Sequence, residues 1–140
     1  MLDITIQTPN ANTTSKIIIH NIYNPPRSSD HRVSCLPYLR TALTAHDGEE
    51  QIILGDFNLH HELWGGPTTR TDPESDELID IIEEVQLGSL LPAGTVTYDD
   101  KNSQSCIDLC YGTQDLVDRV ITCNTDPSIC LLYTSDAADE

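Results

Sequence analysis

Positive charge is what this sequence has least of: seven lysines and arginines stand against twenty-three aspartates and glutamates, for a formal net charge of −16. Binding a polyanion such as DNA ordinarily rests on Lys and Arg that neutralise phosphates and release counterions. So acidic a chain argues against strong DNA binding as it stands. Some carboxylates could serve to hold a cation, since metal sites are themselves acidic, but that accounts for a few charges and not for all.

Long apolar runs are also missing. No stretch nears the roughly 18 apolar residues of a membrane-spanning helix, and the N-terminus has no basic segment followed by a long apolar one. The protein is expected to have no membrane partner and to be soluble and intracellular. Its cysteines, Cys35, Cys106, Cys110, Cys123 and Cys130, are odd in number and lack C-x-x-C spacing. Neither a disulfide framework nor a zinc site follows from them, and reduced, mostly buried thiols are expected.

What is there fits one globular domain or part of one: 38% hydrophobic and 21% charged residues over 140 positions. Leu2 to Gln7 alternates apolar and polar residues, and Lys16 to Tyr23 is rich in β-branched residues, so both predict strands, the second a buried central one. Leu36, Leu39 and Leu43 recur at helical spacing between Ser34 and His46, with Gly48 beyond. Gln51 to Leu54 predicts a buried strand running into Gly55, and Leu59 to Asp72 a long loop. Asp72-Pro73-Glu74 opens a helix whose apolar face is Leu78, Ile81, Ile82 and Val85, with Gly88 closing it. Thr95 to Tyr98 and Ser105 to Tyr111 are strand candidates around a polar turn, and Val117 to Thr122 is one more.

The chemistry concentrates at Gly55-Asp56-Phe57-Asn58. In an extended segment alternate side chains share a face, so Asp56 and Asn58 lie on one side and Phe57 on the other. A carboxylate beside an amide could orient or deprotonate a water and hold a phosphate oxygen or a metal-bound water. The bland alternative is a turn, because Gly, Asp and Asn are the commonest turn residues.

The sequel decides between these. The run from Gly55 through His61 to Trp64-Gly65 resembles the G-D-F-N-x-x-H-x-x-W-G stretch in the endonuclease domains of non-LTR (LINE-type) retrotransposons. These belong, with apurinic-site endonucleases, to the endonuclease/exonuclease/phosphatase family. His20-Asn21-Ile22-Tyr23-Asn24-Pro25-Pro26 is similar to the family's N-x-Y-x-P-P strand end, and Ser105-Cys106-Ile107-Asp108-Leu109 to its S-x-I-D-L strand. The similarity covers nearly everything from Leu2 to about Ile129.

The resemblance implies an α/β fold, a four-layer sandwich of two β-sheets flanked by helices, here partial, with the first strands and the C-terminal end missing. It implies Mg2+ as the cofactor, DNA as the substrate, a reverse-transcriptase domain downstream, and a nuclear location for the intact element. Carried over residue by residue, Asp56 would position the attacking water. Asn58 would bind the scissile phosphate and help set the metal site, and Tyr23 would stabilise charge on the phosphate. His61 falls on the active-site loop, and Asp108 would hydrogen-bond the catalytic imidazole.

Taken singly, Tyr23 would be a core tyrosine and Asp108 a paired carboxylate in the sheet. Trp64, the single tryptophan, reads as a buried loop anchor before a base-stacking platform. His60-His61-Glu62 lacks the H-E-x-x-H spacing of a zinc site.

The same family has a metal-binding glutamate upstream of Tyr23 and an S-D-H motif near its end, and this sequence matches neither. Cys130 to Glu140 resembles instead the reading-frame translation of a sequencing-library adapter, which divides the chain into residues 1–129 and a foreign tail, 130–140. Removing Asp136, Asp139 and Glu140 with that tail leaves the chain still strongly acidic. The polypeptide is therefore expected to be nearly inactive and poorly soluble, with a non-catalytic relic or interaction module, or another phosphodiesterase or phosphatase of the family, as the alternatives.

Overall fold

The computed structural model describes residues 2–7, 12 and 14–125. The adapter-like segment from Cys130 onward lies outside them. Four strands build the central sheet. β2 (Ile17–Tyr23) pairs in parallel with β3 (Glu50–Asp56), and β7 (Asp108–Thr113) pairs antiparallel with both β3 and the short β4 (Leu87–Ser89), giving the order β2-β3-β7-β4. A second sheet is made of β1 (Leu2–Ile6) and β8 (Val120–Thr125), antiparallel.

Period-two alternation sorts the core into two layers. Ile53, Leu109 and Tyr111 face a cluster with Leu36, Leu39 and Leu43 of α1 (Leu36–Ala45) and Leu78 and Ile81 of α3 (Ser75–Val85). Their neighbours Ile52 and Cys110 face the opposite way, into a cluster with Ile4, Ile6, Val120 and Cys123 of the second sheet and Leu116 of α4 (Gln114–Val117). The order is thus helices, sheet, sheet, an α/β sandwich of the kind the resemblance implies. α1 forms because its leucines recur at three and four residues, and Pro37 sits in the first turn, where its missing N–H has no helical partner to lose.

Several elements differ from the sequence expectation. β2 is an edge strand of its sheet among the described residues, not a central one, and Ile19 on it is 61% exposed. A β-branched run reports extended backbone; its place in the sheet is set by which strands pair with it, and β3 takes the centre by pairing on both edges. The loop from Leu59 to Asp72 contains a short helix, α2 (Glu62–Gly65). α3 stops at Gln86, which adopts the left-handed conformation at φ 56°, and Gly88 lies beyond it inside β4. There a Cβ would sit 2.9 Å from Val117 Cγ2, so close packing explains that glycine better than a helix stop. The polar stretch before Asp108 forms a hairpin, β5 (Tyr98–Asp100) with β6 (Ser103–Ser105), which displaces the start of the next strand to Asp108. The last expected strand is divided between α4 and β8.

Gly55 has the tightest requirement. Its φ is +135°, and a Cβ there would lie 2.1 Å from the Ile22 carbonyl oxygen on the neighbouring strand. Gly55→Ala is expected to destabilise the fold by about 3 kcal/mol, through backbone strain and overpacking against main chain that has nowhere to go. Urea unfolding measures it; a loss under about 1 kcal/mol would show that β2 and β3 separate freely.

Candidate active site

The sheet register assembles the site. Tyr23 at the end of β2 pairs with Asp56 at the end of β3, and Asp56 pairs with Asp108 at the start of β7. Residues abreast on paired strands point to one face, so Tyr23, Asp56 and Asp108 form a row across three strands. By alternation it is the face that Ile17, Ile52 and Cys110 share with the second sheet. Tyr23 is 65% exposed, which removes the core-tyrosine reading. The Asp108 carboxylate makes no ion pair among the described residues, so the simple paired-carboxylate reading fails as well.

Electrostatically the row is strained. Burial pushes the Asp56 carboxyl above its ordinary range, and the facing Asp108 pushes it further; hydrogen bonding from Asn58 opposes both without cancelling them. Like charges directly across a strand pair destabilise a sheet.

Asn58 is held in the left-handed region at φ 48°. Its backbone N–H donates to Asp56 Oδ1 at 2.9 Å, and its Nδ2 donates to the Asn24 carbonyl at 2.9 Å. The first bond is an Asx turn, so the turn reading of the motif is true of its backbone, while the half-buried side chains of Asp56 and Asn58 remain at the sheet end. Phe57 points away into the helix-side core, fully buried, and its N–H donates to the Ile107 carbonyl at 2.9 Å.

The structure does not join His61 to this row by hydrogen bond or ring contact. Its Nδ1 accepts from the Leu63 N–H as the N-cap of α2, and its ring lies 5.2 Å from that of Trp64. Trp64 is buried, its Nε1 donating to the Leu59 carbonyl at 2.9 Å, and so acts as a loop anchor. His60 pairs instead with Asp72, whose Oδ2 accepts from both the His60 N–H and Nδ1. Burial alone would raise Asp72; the His60 bonds outweigh it and hold the carboxyl below its usual range.

Sequence reasoning passed over the polar support behind the row. Asn24 is completely buried, and its Nδ2 donates to the Phe57 carbonyl at 3.1 Å while its Oδ1 accepts from the Cys35 N–H at 3.1 Å. Behind it Glu74 accepts from Arg32 and Ser34. Only the asparagine's place between the strand end and Pro25 could have flagged it.

As donors for a hard divalent cation, Asp56, Asp108 and the Asn58 amide oxygen are of the right kind, because Mg2+ takes oxygen ligands and often only one or two carboxylates, completed by water and phosphate. Among the described residues no group of three or more His, Cys, Asp or Glu could form a protein cage. Such a donor set would suit a cation whose remaining ligands are water and phosphate oxygens.

The raised Asp56 gives a signed expectation. An acid whose folded pKa lies above its unfolded value weakens the fold once ionised, so Asp56→Asn should melt higher than the parent at neutral pH. The gap should close as pH falls through the Asp56 pKa. Scanning calorimetry from pH 3 to 8 decides it, and a variant that melts lower at pH 7 would contradict the assignment.

The sequence model of a family described as endonuclease-reverse transcriptase matches residues 17–135. Among solved structures the chain is similar to the endonuclease domain of TRAS1, a telomere-specific non-LTR retrotransposon, at 18% identity and a TM-score of 0.55. The match covers 84% of this chain and 58% of that one, so the chain spans a little over half the length of the domain it resembles. No curated protein matches. The fold is that of the endonuclease/exonuclease/phosphatase sandwich, and the chain belongs to the endonuclease-reverse transcriptase family.

Proposed function

We propose that the domain to which this chain contributes is a DNA-nicking endonuclease of a non-LTR retrotransposon, hydrolysing one phosphodiester to expose a 3′ end for a reverse transcriptase carried on the same polyprotein. The observation that carries the reading is the row Tyr23, Asp56, Asp108 with Asn58 beside it. Asp56, with its affinity for a proton raised, is suited to orienting and deprotonating a water. Asn58 and the exposed Tyr23 hydroxyl are suited to holding the phosphate and the charge that develops on it. Mg2+, when bound at Asp56 and Asn58, would supply Lewis acidity and charge neutralisation. Asp108 is suited to orienting an imidazole, and no histidine is hydrogen-bonded to it among the described residues. For that reason the 140-residue polypeptide alone is proposed to be nearly inactive.

The distribution of cations weakens the charge objection. Lys16, Arg32, Arg40 and Arg119 are tied up in ion pairs. Arg27, Arg70 and Lys101 make none among the described residues. Arg27 follows β2, Arg70 lies on the loop after β3, and Lys101 sits at the turn between β5 and β6. β2 and β3 are parallel and β7 antiparallel to them, so all three segments emerge at the sheet end that carries the row. Arg70 also lines a cleft of about 390 Å³ with His60, Thr68, Thr69, Ser103 and Gln104. A globally acidic chain can thus offer a phosphate backbone its unpaired cations where the chemistry is.

Nicking of supercoiled plasmid, with magnesium and with EDTA, tests the activity. A longer polypeptide that extends this chain at both ends should nick only with metal, and Asp56→Ala should lower its rate by about 10²-fold or more. A folded extended protein that does not nick overturns the endonuclease reading. Brisk metal-dependent nicking by the 140 residues alone overturns the proposed inactivity. Binding is tested separately by anisotropy of labelled duplex: Arg70→Ala should weaken affinity for all sequences alike and reduce the salt slope by about one. An unchanged slope would remove Arg70 from the DNA surface.

A further inference from the structure

We propose that Asn24 is a positioning residue for the reaction, holding Asp56 and Asn58 in their working geometry from behind. The inference rests on the endonuclease reading for its purpose, and on hydrogen bonds alone for its content.

Asn24 grips three consecutive residues of the motif with three different atoms. Its backbone N–H donates to the Asp56 carbonyl at 2.8 Å, its Nδ2 to the Phe57 carbonyl at 3.1 Å, and its carbonyl accepts from Asn58 Nδ2 at 2.9 Å. The fourth polar atom, Oδ1, accepts from the Cys35 N–H at the start of α1. All of this happens at a residue with no solvent exposure. Groups so placed have no water to turn to, so the network holds or breaks as a unit.

Two consequences reach the site. The left-handed backbone of Asn58 is one that asparagine tolerates better than most residues, and here it closes the Asx turn onto Asp56. The Asn24 carbonyl adds a second tether, on the side chain. It also fixes which way round the Asn58 amide sits. With one Nδ2 proton engaged by Asn24, the amide oxygen is turned to the other side, where it can take a water proton or a cation, and the second Nδ2 proton stays available to a phosphate oxygen. A free amide would present either end. Behind Asn24, Glu74 draws in Arg32 and Ser34, tying the loop after β2 to the start of α3.

The test uses the 140-residue chain and needs no catalysis, so its failure and the failure of the endonuclease reading are separable: absence of nicking leaves every readout below intact. In the parent, side-chain amide hydrogen exchange followed by NMR should find an Asn58 Nδ2 proton protected at least tenfold relative to exposed asparagines. Asn24→Ala keeps the carbonyl at position 24 but removes the side-chain bonds to Phe57 and Cys35 that seat it, so it should lower that protection several-fold and move the Asn58 amide resonance toward solvent-exposed values.

Leu116→Ala, in the second-sheet cluster, serves as the destabilising control. It should lower the melting temperature and leave both readouts unmoved. If Asn24→Ala behaves like that control, Asn24 is a packing residue only and the proposal fails. If Asn24→Ala does not fold, the parent's exchange rate still decides, since an unprotected Asn58 amide refutes the hold directly.

Discussion

The approach of β3 to β2 at Gly55, closer than any side chain would permit, is the contact on which the rest of the site depends. Tyr23 and Asp56 are abreast only because the two strands stay paired to their last residues, and Asp108 joins them only because β7 pairs along the other edge of β3. A Cβ at position 55 would force the Ile22 carbonyl away and break the row at its centre. The glycine that a turn reading would assign to flexibility is here a requirement of strand packing. The turn begins one residue later, with the Asp56 carboxylate accepting from Asn58.

Charge follows the same logic of position over sum. The net charge of −16 describes the chain, but what a phosphate meets is the local field. Most of the few cations are engaged in ion pairs away from the row or behind it, and the three that are not lie on segments at its end of the sheet. The two carboxylates of the row repel one another across the ladder, a cost that a fold selected only for stability would avoid. The Asn58 bonds to Asp56 reduce that cost without removing it. Such residual strain is common at sites where a cation or a substrate completes the electrostatics.

Much of this was legible in the sequence, and the rest was hidden for a physical reason. α1 and α3 were readable because three-and-four spacing is local, and β3 because an apolar run ending in glycine is local too. The resemblance pointed to Tyr23, Asp56, Asn58 and Asp108, and alternation correctly set Phe57 apart. What the sequence could not display is whatever depends on partners far along the chain. That β2 is an edge, that Gly88 answers to Val117, and that the hairpin before Asp108 pairs at all are facts of pairing. Asn24 is the sharpest case: thirty-odd residues separate it from the motif it holds, and an asparagine before a proline reads as nothing more than a turn. His61, set on the active-site loop by the resemblance, has a local role that its sequence did not display, as the N-cap of α2.

Phe57 shows why folding and function here are one problem. Side chains alternate across a strand, so the register that buries Phe57 among Leu36, Ile53 and Leu78 is the register that turns Asp56 to the opposite face. A slip of one residue would drive the carboxylate into the helix-side core and expose the ring. Both changes are costly, so the apolar burial that drives folding also selects the face on which the acid stands. The bonds from Phe57 to Ile107 and from Asn24 to Phe57 then fix the turn beyond the last ladder pair, where burial no longer discriminates. The hydrophobic residue in the middle of the motif has no part in the chemistry, yet it decides where the chemistry can occur.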